Sequence, residues 1–403
     1  MSLTEAQLLE DIRQRLFSPL KSNTPRAVGV EIELIPVYAE TRRRALPRSG
    51  ETPSTADIIS RLGQRHQWVE KSVEGDPPSW ELPDGTRISF EPGGQIEISS
   101  TPHATASSVI DSTQALVTLL QAAMAAEGIE LLARGVDPYN DIDAVPLQLH
   151  RDRYERMTRY FESIGPSGVR MMRQTASLQI NLERGEDPRK RWTLLNALAP
   201  YLVALFANSR NYAGELTAHA SLRAHLWRTL DNSRTGLPCD VTEPSVRYLA
   251  FALDAKAMRS SDGKVPWLTF REWMRTESLT EQDWMFHLST LFPEVRPKEF
   301  FEIRSADAID IGQIGAPVVF VTGIVYDDES SAAATKLLGA PSEPLLERAG
   351  QLGMTDPWIA KVLPRLIEIA LNGAERMGTN YFGEPHLAVT REYFARVLAA
   401  NDI

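Results

Sequence analysis

The sequence predicts one α+β domain, with helices packed on the apolar face of an antiparallel sheet. Two observations carry this. Four short segments alternate apolar and polar residues at the strand period: Val30-Glu31-Ile32-Glu33-Leu34, Glu91-Pro92-Gly93-Gly94-Gln95-Ile96-Glu97-Ile98, Leu178-Gln179-Ile180-Asn181-Leu182 and Phe301-Glu302-Ile303-Arg304. Around them lie long stretches with helical spacing, and no repeat, low-complexity tract or linker divides the 403 residues. Residues i and i+2 of a strand share a face, so each segment turns its apolar residues one way and its Glu, Gln, Asn or Arg the other.

In chain order, residues 4–17 carry Leu8, Leu9, Ile12 and Leu16 on one stripe and predict a helix. A strand follows at 27–37. Residues 38–56, with Thr41-Arg42-Arg43-Arg44, Pro47 and Pro53, read as an exposed loop whose basic run is a solvated patch or an ATP-facing flap. Trp68 to Trp80 and Arg87 to Ser99 read as strand-rich, with Asp84-Gly85 as a hairpin turn. Helices are expected at 105–127, 151–163 and 188–208, the last interrupted or kinked by Pro200. A strand is expected at 129–134 and a turn at Asp137-Pro138-Tyr139-Asn140. Residues 208–236 read as an ordered loop region with a short helix, and further helices fall at 343–352, 357–375 and 390–400. The run Ala316–Tyr326 is a buried strand or helix, too short and too broken by Pro and Gly to span a bilayer.

The formal net charge of -10 argues against a general nucleic-acid binder. The single cysteine, Cys239, allows no internal disulfide or disulfide switch and fits a reducing compartment. The N-terminus lacks an apolar signal core, so the expected location is cytoplasmic, with no membrane partner and a monomeric or homodimeric state.

If the four segments lie in one sheet, its polar face carries Glu31, Glu33, Glu97, Gln179, Asn181, Glu302 and Arg304, with Glu91 added if the Pro-Gly-Gly kink keeps parity. Carboxylates gathered in this way need cations to neutralise them. An all-oxygen set suits Mg²⁺ or Mn²⁺, and Mg²⁺ with an arginine suits phosphoryl transfer. Neither a Walker loop nor a Rossmann glycine motif is present. Each pair alone has an ordinary alternative: an exposed strand face for Glu31 and Glu33, a plain salt bridge for Glu302 and Arg304. A second constellation, Arg210, Arg223, Trp227, Arg228 and Arg234, is either a structural arginine set or a reader of carboxylate and phosphate. His103, His225 and His287 stand singly and read as structural.

Several blocks resemble the plant-type glutamate–cysteine ligases, a family also found in bacteria. They are Gly29-Val30-Glu31-Ile32-Glu33, Glu91 to Ser99, Arg153-Tyr154-Glu155, Met171 to Thr175, Ala207-Asn208-Ser209, Ser221 to Trp227, Arg234-Thr235-Gly236 and His287 to Arg296. The resemblance implies a glutamine-synthetase-like fold, in which an antiparallel sheet forms a funnel-shaped active site with helices outside. It implies a single catalytic domain over 1–403: a helical segment at 1–26, a core at 27–327 and a helical part at 328–403. The implied reaction joins the γ-carboxylate of L-glutamate to the amine of L-cysteine, with ATP and Mg²⁺ (or Mn²⁺), through a γ-glutamyl phosphate. By position, Glu31, Glu33, Glu91, Glu97, Gln179 and Glu302 correspond to the metal site. Arg304 corresponds to the arginine on the transferring phosphoryl group, with Glu97 as its catalytic companion. Arg223, Trp227, Arg153 and Tyr154 correspond to substrate binding, and Arg228 and Arg234 to nucleotide binding.

The chain departs from the pattern at Asp231-Asn232-Ser233, where known members read Asp-Lys-Asp, at Ser305, where they read Gly, and at Arg228, where they carry a small polar residue. These departures leave open a ligase of the same fold with another amine. Clustered carboxylates leave open a two-metal phosphoesterase and a non-catalytic nucleotide or metal binder.

Overall fold

A computed structural model describes residues 3–20, 26–48, 53–237, 243–259 and 267–401. Cys239 lies outside the described residues. The strands are β1 (Val28–Tyr38), β2 (Val69–Lys71), β3 (Ser79–Glu81), β4 (Arg87–Phe90), β5 (Ile96–Ser99), β6 (Ile129–Leu132), β7 (Ser177–Glu183), β8 (Asn211–Tyr212), β9 (Glu215–Leu216), β10 (Val295–Pro297) and β11 (Phe300–Asp307). All but β8 and β9, which form a separate small hairpin, join one antiparallel sheet in the order β10-β11-β7-β1-β5-β4-β3-β2. The strand β6 pairs with the second half of β1, from Ile35 to Tyr38.

Register sets the two faces. Val30, Ile32, Ile98, Leu178, Ile180 and Ile303 are buried on one side. Each such side chain contributes roughly 1.5–3 kcal/mol of burial. The helices Ala106–Ala125 and Pro188–Leu205 cover this face, and Gly315–Val325 packs behind them against Pro357–Met377 and Glu384–Ala400. One continuous core runs from Leu8 to Phe394. A smaller cluster of Met157, Tyr160, Met172, Trp227 and Phe292 gathers around the helices that roof the polar face, Asp152–Ile164, Pro166–Gln174 and Leu222–Leu230.

Most predicted elements stand where the sequence placed them. The helices Pro166–Gln174, Pro244–Asp254, Phe270–Thr276, Glu281–Ser289 and Asp328–Leu338 were not among the expected helices, and four further points differ. The Pro-Gly-Gly segment is the turn of a hairpin between β4 and β5, closed by Glu91 N–H to Gln95 O at 2.9 Å and Gly94 N–H to Glu91 O at 2.8 Å. Gly93 lies so close to its neighbour that a Cβ there would stand 1.9 Å from the Arg173 carbonyl oxygen. The basic run is only partly solvated, because Arg44 is buried, pairs with Asp137 at 3.3 Å and donates Nη2 to Arg173 O at 3.0 Å. Pro200 does not interrupt its helix, which runs from Pro188 to Leu205. A helix over Thr55–His66 begins inside the expected loop region; its signal was the capping box of Ser54 and Asp57.

Candidate active site

Three rows of cross-strand neighbours build the polar face. Ser89 of β4 faces Glu97 of β5, which faces Glu33 of β1. One step along, Ser99 faces Glu31, which faces Gln179 of β7. One step further, Gly29 faces Asn181, which faces Glu302 of β11, which faces Arg296 of β10. Between Ile303 and Ala306 the register of β11 slips, and Arg304 sits in this irregularity.

A cleft of about 140 Å³ opens above this face. It brings together ten of the residues singled out from sequence: Glu31, Glu33, Glu91, Glu97, Gln179, Arg153, Tyr154, Arg223, Trp227 and Arg304. Glu33 accepts from Ser177 N–H at 2.8 Å and Gln179 Nε2 at 3.2 Å, and Glu31 accepts from Asn181 Nδ2 at 2.8 Å. Ser89 and Ser99 both donate to Glu97 Oε1, at 3.1 and 3.0 Å.

The carboxylates destabilise one another's charge. Burial, then the charges of Glu302 and Glu97, pushes Glu31 up to about 7, with Lys298 and Asn181 opposing. Burial and Glu97 push Glu33 up against the pull of Arg223 and Arg304. Burial, Glu97 and Glu33 hold Glu91 well above the usual carboxylate range. This unrelieved repulsion among oxygen donors is the electrostatic condition that a hard divalent cation relieves. The donor set therefore fits Mg²⁺ or Mn²⁺, although among the described residues no three His, Cys, Asp or Glu already converge at metal-binding spacing.

Glu302 differs from the other five predicted metal-site residues. It is fully buried, and Arg296 forks onto it with Nε to Oε2 at 2.6 Å and Nη2 to Oε1 at 2.9 Å. Arg304 Nη1 adds a bond of 2.8 Å to Oε2, and Lys298 Nζ also reaches Oε1. Burial opposes its charge, yet Arg296, Arg304 and Lys298 outweigh that and hold it well below the usual range. In this arrangement Glu302 is the counter-ion of three cations, not a free ligand, and it does not line the cleft.

The arginines divide in the same way. Arg304 Nη1 is also held by Gln179 Oε1 at 2.9 Å, and its guanidinium lies 5.3 Å from the Trp227 ring centre. Arg223 lies 5.7 Å from that ring and donates Nη2 to Arg304 O at 2.7 Å. Its other nitrogen stands 3.8 Å from Asp307, which accepts from Asn208 N–H at 2.7 Å, Ser209 Oγ at 2.7 Å and Ser221 Oγ at 3.0 Å. The Ala207-Asn208-Ser209 and Ser221 blocks thus lock Arg223 in place through one buried carboxylate. Nε of Arg153, Arg223 and Arg304 and Nε1 of Trp227 are buried without a hydrogen-bond partner among the described residues.

Arg228 and Arg234 are not brought to the cleft. Arg228 pairs with Glu294 at 3.3 Å, and Ser305 Oγ donates to the same carboxylate at 2.7 Å, so two of the departures meet on one group. Arg234 is fully buried on Asp231 at 2.8 Å and the carbonyls of Thr290 and Lys256. Both act as structural ties. Arg210 does not line the cleft. The three histidines carry structural contacts, His287 through Ala252 O at 2.7 Å, His103 through Ser108 and Ser112, and His225 stacked on His219. Sequence reasoning gave no role to Arg296 or Lys298; the signal was the alternation Arg296-Pro297-Lys298 facing Glu302.

An acid-lined cleft with four arginines over an antiparallel sheet is the site of an enzyme that handles anionic substrates. Residues 27–351 match the model of Glutamate-cysteine ligase family 2 (GCS2), beyond residue 327, where the core implied by the resemblance ends. The glutamate–cysteine ligase EgtA of Mycolicibacterium smegmatis is 34% identical over 320 residues, 74% of this chain and 73% of that protein. The chloroplastic glutamate–cysteine ligase of Arabidopsis thaliana is 29% identical over 399 residues, 93% of this chain and 75% of that protein. Among solved structures, a glutamate–cysteine ligase of Francisella tularensis in complex with AMP aligns at a TM-score of 0.49 and 12% identity, covering 96% of this chain and 83% of that one. The chain belongs to glutamate–cysteine ligase family 2 and is an enzyme of the ligase class. No helix among the described residues is long and apolar enough to cross a membrane.

Proposed function

We propose that the enzyme joins the γ-carboxylate of L-glutamate to the amine of L-cysteine, using ATP and forming a γ-glutamyl phosphate on the way. The observation that carries this reading is the meeting of four glutamates, Gln179, Arg304, Arg223 and Trp227 in one cleft of a chain from this family. A carboxylate is a poor electrophile and must be activated. Transfer of a phosphoryl group to it depends on positioning and charge neutralisation, not on a protein nucleophile. Mg²⁺ or Mn²⁺ on Glu31, Glu33, Glu91, Glu97 and Gln179 supplies the neutralising charge, and Glu302 joins that set only by releasing one of its cations. Arg304, fixed by Gln179 and Glu302, stabilises charge on the phosphoryl group in flight. Arg223 and Trp227 orient the amino-acid substrate, with Arg153 and Tyr154 beside them in the cleft wall. The nucleotide base belongs in a neighbouring cavity of about 570 Å³ that shares Glu31 with the cleft and is lined by Gly29, Pro102, Leu182 and Phe300. The pairings of Arg228 with Glu294 and of Arg234 with Asp231 speak against those two residues for that task.

The test is phosphate release with ATP and Mg²⁺, omitting in turn glutamate and a panel of amines led by cysteine, with products weighed by mass spectrometry. A γ-glutamylcysteine mass that needs every component supports the reading. Turnover with glutamate and another amine alone moves the substrate assignment.

The raised carboxyls set a pH dependence. In the unfolded chain Glu31 ionises near its ordinary 4.5, in the fold near 7. Between these values the folded state holds the proton that the unfolded state has lost, so stability falls as pH rises. Glu33 and Glu91 act in the same direction. Glu302 acts oppositely, but its contribution is complete above pH 5. His287, whose burial pushes its ring down to about 3, also acts oppositely, up to the ordinary histidine value of 6.5. In chelator-treated protein, the melting temperature should therefore fall from pH 6.5 to pH 8, and millimolar Mg²⁺ should raise it more at pH 8 than at pH 5. A flat profile in calorimetry, with or without Mg²⁺, would remove the carboxylate cluster as its cause.

A further inference from the structure

Beside the acid-lined cleft, and separated from it by the side chains of Arg153 and Arg296, lies a cavity of opposite character. It measures about 480 Å³. Four cations line it, Arg15, Arg153, Arg296 and Lys298, against a single acid, Glu299. Arg153 and Arg296 line both spaces, so they form the partition between the two.

The cations of this cavity are incompletely neutralised by the protein. Among the described residues Arg153 forms no close ion pair, and the carboxylate charge that acts on it is that of Glu91, from the cleft side; it donates Nη2 to Ser289 O at 2.9 Å, and its Nε is buried without a hydrogen-bond partner. Arg296 and Lys298 share the one carboxylate of Glu302 with Arg304. Arg15 engages Asp11 through Nε at 2.9 Å and Nη2 at 2.6 Å. A buried guanidinium without an anion is costly. Here burial, with Arg296 as a like-charged neighbour, weakens the hold of Arg153 on its proton. An oxyanion between Arg153, Arg296 and Lys298 would relieve this excess, with the planar forks giving direction and the ammonium a point charge. The hydrophobic part of the wall, Leu16, Met285 and Leu288, lowers the local dielectric and strengthens such contacts.

We infer that this basic cavity is an oxyanion seat that receives inorganic phosphate as it leaves the cleft. The choice of phosphate rests on the reading of the cleft as an ATP-dependent ligase. There, attack of the amine on the acyl phosphate carbon forms the amide, breaks the carbon–oxygen bond to the phosphoryl group and releases orthophosphate. The base cavity and the basic cavity adjoin through Arg15 and Glu299, which line both. The first holds the base, and the second holds the anion.

The test is calorimetric titration of the whole enzyme with orthophosphate, sulfate and ADP, without glutamate, cysteine or ATP, so that the result does not depend on turnover. Orthophosphate and sulfate should compete for one site. Arg153→Gln and Lys298→Met should each weaken phosphate binding by about ten-fold and leave ADP binding within about two-fold. The same variants should weaken product inhibition by phosphate while inhibition by ADP holds. Lys298 is more than a third exposed, so its replacement tests the seat even if Arg153→Gln fails to fold. Phosphate binding that is unchanged in Lys298→Met, or absent in the unaltered enzyme at millimolar phosphate, overturns the inference. Equal weakening of ADP and phosphate also overturns it, by giving the seat to the nucleotide. If phosphate binds as expected while no glutamate-dependent turnover occurs, the seat stands and the ligase reading falls.

Discussion

Arg304→Ala should lower kcat by about 10²–10³-fold, the usual effect of removing one donor aimed at transition-state charge. The fold should survive the change. Arg304 is one of three cations on Glu302, and Arg296 and Lys298 remain to neutralise that buried carboxylate. Its guanidinium also covers Trp227, so a small fall in melting temperature is expected from lost packing. The steady-state profile decides the role. A fall in kcat with little change in KM for glutamate marks an interaction made in the transition state. A rise confined to KM for glutamate would make Arg304 a substrate anchor. Arg304→Lys keeps the charge and loses the fork, so it should recover only part of the rate.

Gly93→Ala should both destabilise the protein and stop the reaction. The added carbon would stand 1.9 Å from Arg173 O, a contact with backbone and not with a yielding side-chain tip. That carbonyl is itself held by Arg44. The turn around Gly93 is tied by Gln95 Nε2 to Thr175 O at 2.7 Å and by Gln148 N–H to Pro92 O at 2.7 Å. The Arg173 side is held, so relief must come from shifting the tied turn, at roughly 1–3 kcal/mol, and Glu91 moves with it. Gly75→Ala is the control. Gly75 has a φ of +83° with open space around it, so alanine there costs about 1 kcal/mol of backbone strain and leaves turnover intact. Melting temperatures and initial rates of the two variants separate a steric seat from general intolerance of glycine loss. Equal, small effects in both would show that the turn is free to move.

The strands of the cleft were legible in the sequence because a two-residue period marks both faces at once. Once Val30, Ile32, Leu178 and Ile180 are assigned to the core, Glu31, Glu33, Gln179 and Asn181 must share the other side. Pairing was not legible, since alternation fixes which face a residue takes but not its neighbour. Hence Glu302 was grouped with the other carboxylates, although Arg296 opposite it decides its charge state. Arginine was the poorest guide. Arg223 and Arg304 reach the cleft, while Arg44, Arg228 and Arg234 use the same five-donor fork on carbonyls and buried acids. Only tertiary structure separates the two uses.

The cleft draws its walls from β1, β5, β7 and β11, so Glu33, Glu97, Gln179 and Arg304 meet although successive members stand 64, 82 and 125 residues apart in the chain. Such long-range closure is slow, and it gives no subset of the chain a working partial site. On the ribosome, Glu31 and Glu33 wait without Arg304 until β11 has emerged. The strand β1 gains its β7 neighbour earlier in that interval, but its acids still lack the cations carried by β10 and β11. The nascent protein is therefore most exposed to mispairing along its central strand, and its catalytic identity arrives late in synthesis, together with the strand that completes the sheet.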